Sequence, residues 1–148
     1  MDRIVLPDLA ATSALGARIA ERLRPGDVIA LSGGLGAGKT TLARAIIAAL
    51  GHDGEVPSPS FAILECYDPP QVRLPLVHAD FYRLGRPAEA DELGLDDYRD
   101  GAAMIAEWPD HAGGFAHEPA CLGITLEGGD QDRMAIVEPG ADWLNRWT

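Results

Sequence analysis

The residues best suited to chemistry lie in one short stretch, from Ser32 to Thr41, which reads SGGLGAGKTT. It fits the pattern GxxxxGK[ST], whose glycines let backbone N–H groups approach phosphate oxygens closely. In that pattern the lysine reaches the β- and γ-phosphates, and the hydroxyl after it binds Mg²⁺. Lys39 and Thr40 occupy these two positions. The stretch therefore predicts a loop that binds nucleotide phosphates.

The flanks of this loop are those that a phosphate loop requires. Residues 28–31 form a short apolar run suited to a buried parallel strand. After the loop, apolar residues recur at helical spacing from Leu42 to Leu50, and Gly51 supplies a stop. Lys39 is also the single lysine among the 12 basic residues, the others being arginines. Together these features disfavour the alternative, a glycine-rich turn before an ordinary helix.

Two carboxylates are candidates for organising a metal ion. Asp80 follows a predicted strand at residues 73–78, and Glu107 follows an apolar run at residues 102–106. An apolar strand that ends in an acidic residue is the general form of a Mg²⁺-binding second motif. Motif logic does not rank the two. Arg83, three residues after Asp80, is a further candidate for contacting phosphate or pairing with that aspartate.

The segment at residues 52–60 is polar and holds two prolines, which exclude a regular helix. In phosphate-loop proteins the segment after the first helix often senses the γ-phosphate. Ser58 or Ser60 is therefore a candidate contact to phosphate or Mg²⁺, with a plain surface loop as the alternative.

The rest of the chain predicts an α/β fold. We expect strands at residues 4–6, 61–67, 121–127 and 133–138, the last two forming a hairpin, and a solvated helical segment within residues 81–100. Thr12 is expected to cap a first helix that presents Leu15, Ile19 and Leu23 on one side. A short helix or tail carries Trp143 and Trp147. The expected architecture is a P-loop NTPase-type sheet, largely parallel with antiparallel additions and with helices on both faces.

Composition limits the class of protein. With 148 residues, 47% hydrophobic and 24% charged, residues 1–148 are expected to form a single globular domain. A net charge of −11 and an isoelectric point near 4.6 oppose non-specific binding to nucleic-acid backbones. Any RNA contact should thus run through a partner or a local patch.

Location and redox state can also be predicted. The first residues lack the pattern of a signal peptide, and no apolar run approaches a membrane span, so we expect a cytoplasmic protein with no membrane contact. Cys66 and Cys121 form no CxxC pattern, and no histidine stands at metal-site spacing from them. We expect both thiols to be reduced and buried.

Six segments, taken in order, resemble the TsaE family, also called YjeE, of small bacterial P-loop ATPases. In this chain they are Thr12-x-x-Leu15-Gly16, residues 35–41, Ser58-Pro59-Ser60-Phe61, His78-Ala79-Asp80-Phe81-Tyr82-Arg83, Leu93-Gly94-Leu95 and Glu107-Trp108. The chain departs from the family pattern at position 34, where glycine replaces the usual aspartate, and at position 60, where serine replaces threonine. Neither change removes a phosphate-binding group.

The resemblance implies an ATPase that, with the TsaB and TsaD proteins, helps make threonylcarbamoyladenosine beside the anticodon of tRNA. It implies ATP and Mg²⁺ as cofactors, with Lys39, Asp80 and Glu107 needed for catalysis and with Thr40 and Glu107 holding Mg²⁺. The tRNA contact would be indirect, through the TsaB–TsaD complex. The implied nucleotide contacts are Thr12, Gly33, Leu35, Gly36, Ala37, Gly38, Lys39, Thr40, Thr41, Ser58, Trp108 and Arg133.

Two other functions share the phosphate loop. A small-molecule kinase would need an acceptor pocket and usually an arginine-bearing lid, for which only the acidic segment from Arg83 to Arg99 is available. A nucleotide-dependent binding switch would use ATP only to set a shape that a partner recognises. Of the three functions, we expect first a partner-dependent ATPase, whose ATP hydrolysis is slow until a partner protein completes the site.

Overall fold

The strand before the phosphate loop lies at the centre of a mixed sheet in the computed structural model. The structure describes residues 2–34, 36–56, 64–129 and 132–147. Its strands are β1 (Asp2–Leu6), β2 (Val28–Gly33), β3 (Leu64–Tyr67), β4 (Leu76–Asp80), β5 (Ala103–Glu107), β6 (Cys121–Glu127) and β7 (Arg133–Pro139). These strands, seven in the described ranges, form one sheet in the order β1-β7-β6-β2-β5-β4-β3.

The middle of the sheet is parallel and its edges are antiparallel. Strand β2 pairs in parallel with β6 and β5, and β5 pairs in parallel with β4. Strands β3, β7 and β1 are added antiparallel. Because parallel strands end at the same edge, the carboxyl ends of β2, β4 and β5 lie together at the phosphate loop.

Helices cover both faces of the sheet. Helices α1 (Leu9–Arg22) and α2 (Lys39–Ala49) pack on one face in a cluster that includes Ile29 and Leu31 of β2. The short helices α3 (Ala88–Glu92) and α4 (Leu95–Arg99) contribute to a second cluster with Val28 and Ala30 of the same strand. This alternation along β2 is that of a strand buried on both faces. The predicted fold class is confirmed.

The start of α1 differs from the prediction. Its cap is Asp8, whose carboxylate accepts a hydrogen bond from the amide of Ala11 at 2.9 Å. Thr12 lies inside the helix and is buried. The prediction that Thr12 caps α1 is wrong, because an aspartate four residues earlier already satisfies the first-turn amide. The expected apolar side is confirmed, since Leu15, Ile19 and Leu23 are all buried.

Gly16 lets α1 and α2 pack closely. A Cβ atom added at Gly16 would lie 2.6 Å from the Cβ of Ala45 and 2.9 Å from its carbonyl carbon. We therefore expect Gly16→Ala to push the helices apart and to lower the free energy of unfolding by about 1–3 kcal/mol, despite alanine's better helix propensity. Denaturant unfolding beside Ser13→Ala, an exposed change on the same helix, measures this. An unchanged or raised stability of Gly16→Ala would show that the helices adjust freely.

Two predicted segments are shorter than expected. Strand β4 begins at Leu76 rather than at residue 73, because Pro75 has no N–H to donate. Arg73 instead donates to the carbonyls of Ala20 and Leu23 at the end of α1, at 2.6 and 3.0 Å. The acidic segment after β4 is broken into α3 and α4 by Gly94, whose φ is +75°.

The C-terminal elements follow the sequence prediction, whereas the 3₁₀ helix Pro109–Ala112 after β5 was not predicted. Strands β6 and β7 form the expected hairpin. The chain ends in a 3₁₀ turn, Ala141–Trp143, with Trp143 and Trp147 buried. The predicted strand at residues 61–67 is seen in its described part, β3, whereas residues 61–63 lie outside the described ranges. No helix within those ranges has both the length and the apolar character to cross a bilayer.

The two cysteines have different surroundings. Cys121 is buried, as expected, but Cys66 is exposed, so the prediction that both thiols are buried is wrong for Cys66. Cys66 lies on the edge strand β3, and an edge strand leaves part of its side chains uncovered. Burial raises the pKa of the Cys121 thiol to about 11. The pKa of Cys66 is also raised, by partial desolvation on the strand and by the negative charges of Asp68 and Glu65.

The thiols should therefore differ in reactivity. A raised pKa leaves less of the reactive thiolate at a given pH, and Cys121 is also inaccessible. At pH 8 we expect a thiol reagent to modify Cys66 slowly in the folded protein and Cys121 only after unfolding. Mass spectrometry of the labelled peptides, with and without denaturant, measures both. Rapid labelling of Cys121 in the folded protein would contradict its burial.

Candidate functional site

The phosphate loop is shaped by its glycines. Gly33, Gly36 and Gly38 all have positive φ, at +138°, +75° and +101°. A Cβ at Gly33 would lie 2.6 Å from the carbonyl oxygen of Leu126 in β6, so only glycine fits between the two strands. The amide of Ala37 donates to the carbonyl of Gly34 at 3.2 Å, which closes a tight turn. The loop thus presents its backbone with little side chain to shield it.

Helix α2 begins where this loop ends. Its N-cap is Gly38, which offers no side-chain hydrogen bond to the first-turn amides, and no acidic residue lies in the first turn. The free N–H groups and the positive end of the helix dipole are therefore directed at the loop. This arrangement is the one that binds phosphate groups at helix N-termini.

A cavity of about 480 Å³ lies over the loop and the carboxyl ends of β4 and β5. Three cations, Lys39, Arg83 and Arg133, and two carboxylates, Asp80 and Glu107, line it. Its other lining residues are Gly36, Gly38, Thr40, Thr41, Tyr82 and Trp108. In a chain of net charge −11, this concentration of cations favours an anionic ligand at this position.

Lys39 lines the cavity, and its amine is hydrogen-bonded to the backbone of the loop. The amine donates to the carbonyls of Gly33 and Gly34 at 2.9 and 2.7 Å and lies 4.2 Å from the centre of the Trp108 ring. Burial lowers the pKa of Lys39, while the negative charges of Glu107 and Asp80 oppose that shift. The loop carbonyls and the two carboxylates thus stabilise a cation that desolvation disfavours.

Both carboxylate oxygens of Glu107 accept hydrogen bonds from side chains. Its Oε1 accepts a hydrogen bond from the Thr40 hydroxyl at 2.7 Å, and its Oε2 accepts one from the Nε2 of His78 at 2.6 Å. Asp80 is the residue beside Glu107 in the register of β4 and β5, and its Oδ1 accepts the amide of Tyr82 at 3.0 Å. The structure brings both candidate carboxylates to one site. Of the two, Glu107 is the one that accepts the Thr40 hydroxyl.

Trp108 forms one wall of the cavity in an unusual backbone conformation. It is the one non-glycine residue of the described ranges with positive φ, at +55°. Its ring lies 5.0 Å from the ring of Tyr82 and 5.4 Å from that of His111. His111 in turn donates from Nδ1 to the carbonyls of Phe81 and Tyr82 at 3.1 and 3.0 Å. Strain of this kind is retained where surrounding contacts hold the residue in place.

Arg133 reaches the phosphate loop from the start of β7. Its guanidinium lies 3.4 Å from the carbonyl of Gly36, and a Cβ at Gly38 would approach it to 2.8 Å. The family resemblance implied a nucleotide contact of Arg133 near the base. In the structure it lies against the loop that carries the phosphate-binding amides.

The predicted site residues outside this cavity fall into three groups. Gly33 lines a smaller neighbouring cavity with Trp108, and Ala37 is buried in the loop. Thr12 is buried within α1 and does not belong to the described lining of the cavity. Leu35 and Ser58, like Ser60, lie outside the described residues.

Sequence reasoning named Tyr82 and His78 in a family-like segment but gave neither of them a role in the site. Tyr82 lines the cavity, and its ring packs against Trp108 at a tilt of 47°. It stood in the sequence between Asp80 and Arg83, which were both singled out. His78 bonds to Glu107 across 29 residues of sequence. Two signals were available: its place at the head of the family-like segment 78–83, and its position in an apolar strand two residues before Asp80 and hence on the same face.

This chain is similar to known proteins in both sequence and structure. The family model described as "Threonylcarbamoyl adenosine biosynthesis protein TsaE" matches residues 6–136. A curated protein of Nostoc, a "tRNA threonylcarbamoyladenosine biosynthesis protein TsaE", is 35% identical over 94% of this chain and 86% of its own length. One of the same description from Mycobacterium leprae is 44% identical over 66% of this chain and 65% of its own length. The mycobacterial match thus spans less than two thirds of that relative.

The fold agrees with these matches. The crystal structure of Bacillus subtilis YdiB superposes with a TM-score of 0.78 at 28% identity, covering 99% of this chain and 90% of that one. The family match includes the phosphate loop, Asp80, Glu107 and Arg133. Ordered motifs, a phosphate loop with its two carboxylates, the family model and the solved fold all lead to one assignment: this chain belongs to the TsaE family.

Proposed function

We propose that this chain binds and hydrolyses Mg-ATP and thereby supports turnover of the TsaB–TsaD complex, which modifies tRNA with threonylcarbamoyladenosine. The observation that carries the proposal is the single cavity that brings Lys39, Thr40, Asp80 and Glu107 together over the phosphate loop. The names of the relatives supply the pathway. The chemistry of the cavity supplies the class of ligand.

The donor set fits ATP with Mg²⁺. Within the described residues, no three His, Cys, Asp or Glu side chains come together as a protein cage for a metal ion. Mg²⁺ instead suits sites with one or two carboxylates, a hydroxyl, phosphate oxygens and water. Thr40 and Glu107 would hold it, and the ion would offset negative charge on the β- and γ-phosphates.

The protein groups then have separable tasks. Loop amides and the start of α2 hold phosphate oxygens, and Lys39 adds a positive charge at the β- and γ-phosphates. Asp80 would orient a water molecule, a role supported by its carboxylate lining the cavity beside Glu107 in the strand register. The water oxygen bonds to the γ-phosphorus as the bond to ADP breaks, and the products are ADP and inorganic phosphate. Positioning and charge account for most of the catalysis in such reactions.

The charge distribution supports action through a protein partner. With a net charge of −11, the surface offers little to a nucleic-acid backbone. The described cations at the cavity face the nucleotide site rather than forming a broad basic surface. We therefore place tRNA on the TsaB–TsaD complex and not on this chain.

Phosphate release from radiolabelled ATP tests the proposal, with the purified protein alone and with TsaB–TsaD and tRNA. We expect slow release alone and a marked rise with the complex. Release that the complex does not change would overturn the partner-dependent function. ATP binding without any release in either mixture would favour a binding switch, and transfer of label to a metabolite in a substrate screen would favour a kinase.

A further inference from the structure

His78 is a fully buried polar residue in the middle of strand β4. Its neighbours Val77 and Ala79 belong to the cluster on the α3–α4 face, whereas Leu76 belongs to the cluster on the α1–α2 face. Because side chains alternate along a strand, His78 and Asp80 lie on the α1–α2 face. In β5, Ala103 and Ile105 belong to that same cluster, which places Glu107 on that face too.

The Glu107 carboxylate is thereby bound at both of its oxygens. His78 donates from Nε2 to Oε2 at 2.6 Å, and Thr40 donates to Oε1 at 2.7 Å. Glu107 is 2% exposed, so water does little to fix its orientation. Without the histidine bond, the carboxylate could rotate and would leave one buried oxygen without a donor.

The surroundings of the other ring nitrogen indicate which tautomer His78 adopts. The Nδ1 of His78 is buried and has no hydrogen-bond partner among the described residues. A proton on Nδ1 would therefore be buried without an acceptor, which is costly. The arrangement fits a neutral ring with its single proton on Nε2, directed at Glu107.

We propose that His78 is a positioning residue. It holds the Glu107 carboxylate in the orientation that accepts the Thr40 hydroxyl and would bind Mg²⁺. This inference rests on the proposed binding of Mg-ATP. His78 does not itself line the described cavity, so it acts on the metal through Glu107. Outer partners of this kind typically fix the orientation of a metal-binding carboxylate.

The test is the Mg²⁺ dependence of nucleotide binding, measured by calorimetry with ADP in EDTA and at increasing free Mg²⁺. His78→Leu removes the donor, and His78→Gln keeps an N–H near the position of Nε2. We expect His78→Leu to raise the half-saturating Mg²⁺ concentration by about 10–100-fold, and His78→Gln to recover most of that loss. Affinity for ADP in EDTA should stay at the wild-type value in both.

A control separates positioning from general damage to the strand. Leu76→Val disturbs the core beside His78 in β4 but touches no group of the metal site. It should lower thermal stability while leaving the Mg²⁺ dependence unchanged. A His78→Leu protein with wild-type Mg²⁺ dependence, or one that loses affinity equally in EDTA, would overturn the inference. If the ADP affinity of the wild-type protein does not depend on Mg²⁺, the proposed metal site is wrong instead.

A second measurement needs no substitution at His78. Nitrogen NMR of the ¹⁵N-labelled free protein reports which ring nitrogen carries the proton. We expect a protonated Nε2 and an unprotonated Nδ1 for His78, with the Nε2–H signal shifted when Glu107 is replaced by glutamine. A proton found on Nδ1 alone would contradict the inference even if His78→Leu does not fold.

Discussion

A Glu107→Gln protein is expected to hydrolyse ATP about 10²–10³-fold more slowly than the wild type, the loss typical of removing one preorganised electrostatic group from a reacting site. Glutamine has the shape of glutamate but lacks its charge. Both donors at this side chain, the Thr40 hydroxyl and the His78 ring, then face a group that can no longer accept from each of them as a carboxylate does. The loss should appear in phosphate release with TsaB–TsaD and tRNA present.

The matched control is Glu21→Gln. Glu21 lies near the end of α1 with its side chain 76% exposed, and it makes only a 3.5 Å contact to Arg22. This variant undergoes the same change in charge and should keep wild-type phosphate release. Equal activity of the two variants would mean that the Glu107 carboxylate has no part in the reaction.

Replacing Arg146 should lower the free energy of unfolding more than Gly16→Ala or Arg86→Met does. Its guanidinium donates to both carboxylate oxygens of Asp27, at 2.7 and 2.8 Å, and to the carbonyl of Arg22 at 2.6 Å. The side chains of Arg146 and Asp27 are only 10% and 4% exposed. Arg146→Met leaves the Asp27 charge buried without its ion-pair partner and, among the described residues, with only the Arg24 amide donating to it, at 2.7 Å. We therefore expect the free energy of unfolding to fall by about 3–5 kcal/mol.

An exposed ion pair gives the comparison for this variant. Arg86 pairs with Glu92 at 2.9 Å, but the two side chains are 60% and 62% exposed. Arg86→Met should cost at most about 1 kcal/mol, because water and salt screen that pair. Urea unfolding of both variants measures the difference. If Arg146→Met costs no more than Arg86→Met, the buried pair does not stabilise the fold as described.

The sequence predicted the parts of the fold that depend on local pattern. The strand, loop and helix around Lys39 could be recognised because glycines, apolar spacing and a stop at Gly51 all occur within a short stretch. The pair of Arg146 with Asp27 could not, because it joins residues 119 positions apart. The close approach of α1 to α2 at Gly16 depends on tertiary packing in the same way.

The candidate site shows the same division. Lys39 and Thr40 are positioned by the first turn of α2, directly after the loop. Asp80 and Glu107 are positioned by the rule that parallel strands end at one edge. The sequence pattern could not show which carboxylate accepts the Thr40 hydroxyl, because this depends on side-chain geometry across two strands and a helix. The role of His78 was missed for that reason, because its partner Glu107 is defined only when the strands are paired.

The most direct test of the central claim is repeated modification of tRNA by purified TsaB–TsaD, with ATP and the threonylcarbamoyl donor in excess. Modified nucleoside would be counted over time with this protein, without it, and with the Glu107→Gln variant. We predict that modification continues through many cycles only with the wild-type protein and stalls early in the other two mixtures. Equal progress through many cycles without this protein would contradict the account.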